Sequence, residues 1–333
     1  MNTTVLFPRR AALHAVSPRS RRFLLDALEV APSVSCSEAA LLSGLNEKTV
    51  RNACRLLARE GILDGRSFGA GGETGAHAIR IAEYPSLFVL ELGREHTLLR
   101  LGNTLLDSVF AVMRDASGYS SREEDLGWIF HQARSILNSG VPALKSPIRP
   151  AHPVVLYEGR EPSSRRLEQI CGGFASLGVD QPILTLSAAE AMAAELIYLP
   201  ETRGASLVLC VSTRPYFSAH LVTRDHDGKC FSPLPSSERL QSFLSAGMLY
   251  GGASDTPEAR VTELLRRVQG ILPVDCVILE MHVPSERFAV CREALPRAAV
   301  FHTRFVDLNT PSLAHRGALR LSRRRLWESM TES

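Results

Sequence analysis

The sequence predicts a small, mainly α-helical winged helix-turn-helix at the N-terminus, followed by a larger, duplicated α/β fold. Two observations predict the first part: an alanine, glycine and valine in register at Ala40, Gly44 and Val50, and a glycine-rich segment beyond Leu63 that leads into the alternating "HAIRI". One predicts the second: after residue 84 the chain runs through two successive units, each of three strands followed by alternating helices and strands. Such units form mixed sheets covered by helices.

The totals fit this plan. A chain of 333 residues holds two or three domains, and 45% hydrophobic with 22% charged residues is a globular balance. Arg, Glu or Asp interrupts every apolar run before the roughly 18 residues that a membrane-spanning helix needs. The start, "MNTTVLFPRRAALHAVSPRSRR", has no apolar stretch after a basic one, so a cytoplasmic protein is expected. Cys36, Cys54, Cys171, Cys210, Cys230, Cys276 and Cys291 are scattered without a CxxC pair, which reads as buried free thiols and neither a zinc site nor a disulfide framework. Charge is uneven. Residues 1–80 carry ten Arg and one Lys against five Glu and two Asp, a net of +4 within a total of +3, so the basic end is the N-terminal one and suits a polyanion.

Residues 1–18 read as a flexible arm, and the winged helix-turn-helix is expected over 19–83. "RSRRFLLDALEV" sets Phe23, Leu24, Leu28 and Val30 near helical spacing. A second helix starts at "SCSEAALLS", where Ser35 and Glu38 form a capping box ahead of Ala39, Leu41 and Leu42. The third is "EKTVRNACRLLARE", with Asn46 as N-cap and Gly61 as stop. Two tightly crossing helices need a small residue in the first, a permissive glycine in the turn and a β-branched residue in the second. Ala40, Gly44 and Val50 meet that need, and Leu56 and Leu57 complete the inward face. Glu47, Lys48, Arg51, Asn52 and Arg55 then fall on the other face. Arg bonds guanine edges, Asn adenine edges and Lys phosphates, so this face reads as a recognition helix for double-stranded DNA. The expected DNA-binding residues are Asn46, Glu47, Lys48, Thr49, Arg51, Asn52, Arg55 and Arg66. A glutamate at Glu47 either accepts from cytosine or stabilises the helix start. One recognition helix reads few base pairs, so a homodimer or higher homo-oligomer is expected.

Downstream, "LFVLELG", "HTLLRLG" and "LLDSVFAVM" read as three strands, followed by the helix "SREEDLGWIFHQARSILNS", the strand "PVVLYEG", the helix "SSRRLEQICGGFASLG", the strand "PILTLS" and the helix "AAEAMAAELIYL". The second unit repeats this with strands "ASLVLCVST", "YFSAHLVTRD" and "KCFSPL", the helix "TPEARVTELLRRVQGI", the strand "DCVILEMHV", the helix "SERFAVCREAL", the strand "AVFHTRFVD" and a closing helix "PSLAHRGALRLSRRRLWESM".

With these elements in place the chain resembles the ROK family, whose sugar kinases and sugar-responsive repressors share an actin-like, ribonuclease-H-like duplicated ATPase fold, the repressors adding an N-terminal winged helix. The resemblance rests on "YPSLFVLELGREHTLLRLGNTLLDSVFAVM", "LSAAEAMAAEL", "LVLCVSTRPYFSAHLV" and "AHRGALRLSRRRLW". It implies actin-like subdomains over 84–197 and 198–333, a sugar-like effector, and DNA binding by a repressor. The kinase signature departs residue by residue. Glu91, Gly93, Arg94 and Glu95 stand where the kinases have Asp-x-Gly-Gly-Thr, and Ser187 stands where they have a catalytic carboxylate. Ser212, Thr213 and Arg214 replace a Gly-Thr-Gly phosphate loop, and Glu280 and Met281 replace a Gly-Gly after a late strand. The Glu-x-Gly-His sugar clamp and cysteine-rich zinc knot have no counterpart in "FSPLPSSERLQSFLSAGMLYGGASDTP", where Gly251 and Gly252 read as a turn. No catalytic residues, cofactor or metal are therefore expected. The wing tip "GAGGETGAHA" lacks the Gly-Arg-Arg or Gly-Arg-Pro common in related repressors, leaving Arg66 and Arg80 at its base. Other readings are a hexose or amino sugar kinase, a sugar-binding sensor, and a scaffold without a DNA role. The run Arg323 to Arg325 reads as a solvated helix terminus.

Overall fold

The structure, a computed structural model, describes residues 17–31, 33–64, 78–93, 96–115, 122–139, 151–157, 161–212, 218–234, 274–282, 293, 301–306 and 310–332. The chain divides into two units, Met1–Glu83 with Leu326–Ser333, and Tyr84–Arg325.

The smaller unit is built on three helices, α1 (Pro18–Val30), α2 (Cys36–Ser43) and α3 (Glu47–Arg59), which pack pairwise. α1 starts one residue earlier than its periodicity suggests because Pro18 occupies its first turn and the Ser17 hydroxyl accepts from Ser20 N–H at 3.2 Å. Leu24 and Leu28 are buried as expected, whereas Phe23 and Val30 are exposed: the helix turns Leu25 and Ala27 inward in their place. The Ser35 and Glu38 capping box forms on α2, yet Leu41 and Leu42 are exposed, and Ala39 is the buried apolar residue of that helix. A two-residue strand β1 (Ser33–Val34) pairs antiparallel with β2 (Ile79–Arg80), and Leu63 bridges Ile81. That is the base of the expected hairpin, with Arg80 in β2; residues 65–77, Arg66 and the tip among them, lie outside the described residues. β1 was missed because two residues carry no readable period.

The larger unit holds two five-stranded mixed sheets. The first comprises β3 (Pro85–Leu92), β4 (His96–Asn103), β5 (Ser108–Asp115), β6 (Val154–Tyr157) and β7 (Leu184–Ser187), in the order β5-β4-β3-β6-β7. The second comprises β8 (Leu207–Ser212), β9 (Ser218–Arg224), β10 (Phe231–Pro233), β11 (Cys276–His282) and β12 (Phe301–Val306), in the order β10-β9-β8-β11-β12. In each, the first three strands run antiparallel and the last two join in parallel, so the duplication expected from the sequence is present. The expected helices at "TPEARVTELLRRVQGI" and "SERFAVCREAL" lie outside the described residues, apart from Glu293.

On the first sheet, α4 (Arg122–Asn138) and α5 (Ser164–Ser176) close a core around Phe88, Leu90, Leu99, Phe130, Ile170 and Phe174. Phe174 meets Phe88 and Phe130 edge-on, with centroids 6.1 and 5.2 Å apart. α6 (Ala188–Leu196) packs against β6 and β7 of one sheet and against β9 and β10 of the other. The closing helix α7 (Leu313–Glu332) meets α6 so closely that a Cβ on Gly317 would collide with the Ala191 carbonyl. Gly317→Ala should therefore destabilise the protein despite its better helix propensity, because overpacking costs about 1–3 kcal/mol against a gain of about 1 kcal/mol. Urea unfolding would read this as a lowered midpoint at unchanged slope; a midpoint equal to or above the parent's would show that the helices separate freely.

Two side-chain expectations change in this unit. Arg323 is not solvated: it is buried, donating from Nη1 to the Thr104 carbonyl at 2.6 Å, while Arg324 and Arg325 are exposed. The thiols are not uniformly buried either. Cys54, Cys210 and Cys276 are, Cys36 is half-buried, and Cys171 and Cys230 are exposed.

Candidate nucleic-acid interface and the kinase-like positions

α3 is two-sided. Val50, Ala53, Cys54 and Leu57 are buried on one side, with Leu56 half-buried at its margin. Burial pushes the Cys54 thiol well above its ordinary pKa, as an apolar setting demands. Gly44 holds the turn before α3 in the left-handed region at φ 66°, which a residue with a Cβ adopts only under strain, and Leu45 N–H donates to the Ala40 carbonyl at 3.2 Å.

On the outward side Glu47, Lys48, Arg51 and Arg55 are exposed and Asn52 is half-buried. Asn46 and Thr49 belong to the helix start, where Asn46 Oδ1 accepts from Thr49 N–H at 2.8 Å. Arg59, absent from the expected set, is also exposed, one helical turn past Arg55. Its signal was the spacing itself: Lys48, Arg51, Arg55 and Arg59 recur at three and four residues and so share one stripe. The stripe rises about 16 Å along the helix axis. Glu47 is engaged twice, accepting from the Ser37 hydroxyl at 2.8 Å and pairing with Arg51 Nη2 at 3.2 Å.

The positions that the sequence sets against the kinase signature make structural contacts in this chain. Glu91, near the end of β3, sets one carboxylate oxygen 3.1 Å from His96 Nε2 and the other 3.1 Å from His315 Nε2, both rings being buried. His315 Nδ1 lies 2.8 Å from the Ser312 hydroxyl, which also accepts from His315 N–H at 3.3 Å. Arg94 and Glu95 lie outside the described residues. Ser187 caps α6: its hydroxyl accepts from Glu190 N–H at 3.2 Å while Glu190 Oε2 accepts from Ser187 N–H at 2.7 Å. Ser212 ends β8 and is buried, and Thr213 to Tyr216 lie outside the described residues.

Glu280 and Met281 sit inside β11, within the expected strand "DCVILEMHV", paired with Arg304 and Phe305 of β12. The Glu280 carboxylate is buried and accepts Leu313 N–H with both oxygens, at 2.9 and 3.1 Å. Orphan amides and a positive dipole end at the start of α7 account for an acid there. Gly251 and Gly252 lie outside the described residues.

No protein-family model matches the sequence, and no curated protein does. Solved structures match by shape. A ROK family transcriptional regulator, a homologue of the E. coli MLC protein, aligns over 94% of this chain and 100% of its own with a TM-score of 0.50 at 11% identity. An inorganic polyphosphate/ATP-glucomannokinase from Arthrobacter sp. strain KM covers 71% of this chain and 97% of its own, with a TM-score of 0.44 at 14% identity. A ROK hexokinase from Thermus thermophilus covers 72% and 99%, with a TM-score of 0.38 at 12% identity. The likeness to the regulator is one of fold, and the larger unit has the actin-like, duplicated mixed-sheet architecture that the resemblance implied. Among the described residues no helix is long and apolar enough to cross a membrane.

Proposed function

We propose that this protein is a sequence-specific DNA-binding transcriptional regulator, a repressor in its resting state, whose smaller unit is a winged helix-turn-helix. The observation that carries the reading is the stripe of Lys48, Arg51, Arg55 and Arg59 on α3, displayed opposite a face held by Val50, Ala53 and Leu57. A helix fixed on one side and cationic on the other suits insertion into the major groove, with Asn52 beside the stripe as an adenine reader. The full-length alignment with a ROK regulator supports the same reading. Arg66 joins the interface from the wing. The protein acts as a homodimer in the cytoplasm, two winged helices reading paired half-sites. The actin-like unit serves as dimerisation and sensor domain, and a sugar-like effector shifts the spacing of the two heads.

Sugar phosphorylation is lost on this reading. The Ser187 hydroxyl is engaged as a helix cap and has no carboxylate's basicity, and Glu91 would set a negative charge against a nucleotide phosphate. ATP turnover with hexoses and amino sugars should stay at background, and activity above it would reinstate the kinase.

Selection of bound sequences from a random duplex pool tests the function. A palindromic consensus, with affinity falling steeply with salt as phosphate contacts release counterions, is the expected result. Failure to enrich any sequence would overturn it.

A further inference from the structure

The Glu47 carboxylate is anchored from outside its own helix. Ser37, the second residue of α2, donates its hydroxyl to Glu47 Oε1 at 2.8 Å, and Gly44 fixes the turn between the two helices. The other oxygen, Oε2, holds Arg51 Nη2 at 3.2 Å one turn further along α3. A guanidinium offers five N–H donors in a rigid plane, and this contact uses only one. Nη1 and the second hydrogen of Nη2 remain as the end-on fork that guanine O6 and N7 accept.

We infer that Glu47 is a positioning residue for base reading: steadied by Ser37, it orients the Arg51 guanidinium so that this operator position selects guanine. The inference rests on the DNA-binding reading of α3 and assigns Glu47 no base contact of its own. A flexible arginine tolerates several acceptors, including phosphate oxygens. One held in plane by a carboxylate is preorganised for a bidentate base edge, so the chain gives up some non-specific attraction for discrimination. Ser37 is thereby part of the reading apparatus, although it lies on the helix before the recognition helix.

The test is selection from a random duplex pool with the full-length parent, Glu47→Gln, Glu47→Ala and Ser37→Ala, alongside affinity for a scrambled duplex. Both Glu47 variants remove the same charge, so both should bind scrambled duplex more tightly than the parent. Glutamine keeps an oxygen that Arg51 can use, so guanine enrichment should fall about twofold, the full worth of an exposed i,i+4 pair, in Glu47→Ala and less in Glu47→Gln, with Ser37→Ala between the parent and Glu47→Ala. Equal loss in the two Glu47 variants would mean that charge or a direct base contact is responsible, and would overturn the positioning role. Retention of full guanine preference by Glu47→Ala would overturn it as well, with the parent's consensus leaving the DNA-binding reading intact. A parent that enriches nothing removes both.

Discussion

Glu195→Ala should destabilise the larger unit by about 3–5 kcal/mol, the cost of breaking a buried ion pair by removing one partner. Glu195 projects from α6 and is 1% exposed, and its two oxygens accept from Arg316 Nε at 3.0 Å and Arg320 Nε at 2.9 Å on α7. Arg320 is itself 7% exposed and lies over the Tyr198 ring with its guanidinium carbon 3.8 Å from the centroid. Without the carboxylate, the Arg320 guanidinium stays in a low-dielectric setting and loses the anion that Glu195 supplies. Cation–π attraction of about 1–2 kcal/mol does not offset that desolvation. Since whole domains are stable by about 5–15 kcal/mol, the loss is a large fraction of the total. Chemical unfolding followed by circular dichroism would read it. Glu195→Gln should fall between, because it keeps an acceptor oxygen and loses the charge. A Glu195→Ala value within about 1 kcal/mol of the parent would mean that water reaches both arginines and the network is effectively a surface one.

That network, and others like it, explain why the contacts of Glu91, Glu195 and Glu280 are hard to read from sequence. Glu91 lies 3.1 Å from His315 although 224 positions separate them, and Glu280 caps a helix that starts 33 positions later. Such pairings depend on how two sheets close upon α7, which no local period encodes. The succession of elements and the two mixed sheets were legible for the opposite reason: strand and helix alternate with clear periods, whereas the strand order within each sheet comes from the structure. Capping was legible too, since Ser35 and Glu38 satisfy a local rule. The same rule was present in "SAAE" at Ser187 and Glu190 and was passed over, because Ser187 was read only for the carboxylate it replaces.

The recognition face was local information, and the structure adds its environment. Periodicity alone gave Val50 an inward and Arg51 an outward side; Arg59 is missing from the expected set although the same spacing, extended by one turn, reaches it. Spacing could not show Ser37, because its contact with Glu47 needs the α2–α3 turn to be fixed at Gly44. Exposed Phe23, Leu41 and Leu42 were the cost of assigning apolar residues to a core by period without knowing which neighbours the helices meet.

Arg51→Ala should lower affinity for the selected operator by about 5- to 150-fold, the range for one bidentate arginine–guanine contact worth roughly 1–3 kcal/mol. The fold should be untouched, because Arg51 is about half exposed in its ion pair with Glu47 while the docking face of α3 is made by Val50, Ala53 and Leu57. The ion pair is no obstacle to base contact: an exposed i,i+4 pair contributes only about 0.3–0.5 kcal/mol, and it uses one donor of the guanidinium. The loss should be concentrated at one base position, with the remaining consensus retained. Lys48→Ala and Arg55→Ala should behave differently, weakening all duplexes about equally and reducing the salt slope by roughly one each, as expected of phosphate contacts. Gel-shift titrations on the operator, on single-base variants and on a scrambled duplex separate these patterns. If Arg51→Ala binds the operator as tightly and as selectively as the parent, the residue reads no base. If it weakens operator and scrambled duplex equally, its role is the same as that of Lys48. Only a loss confined to one position marks it as the base reader, and that outcome also fixes the orientation of α3 in the groove, because the affected base pair must lie opposite the first two turns of the helix.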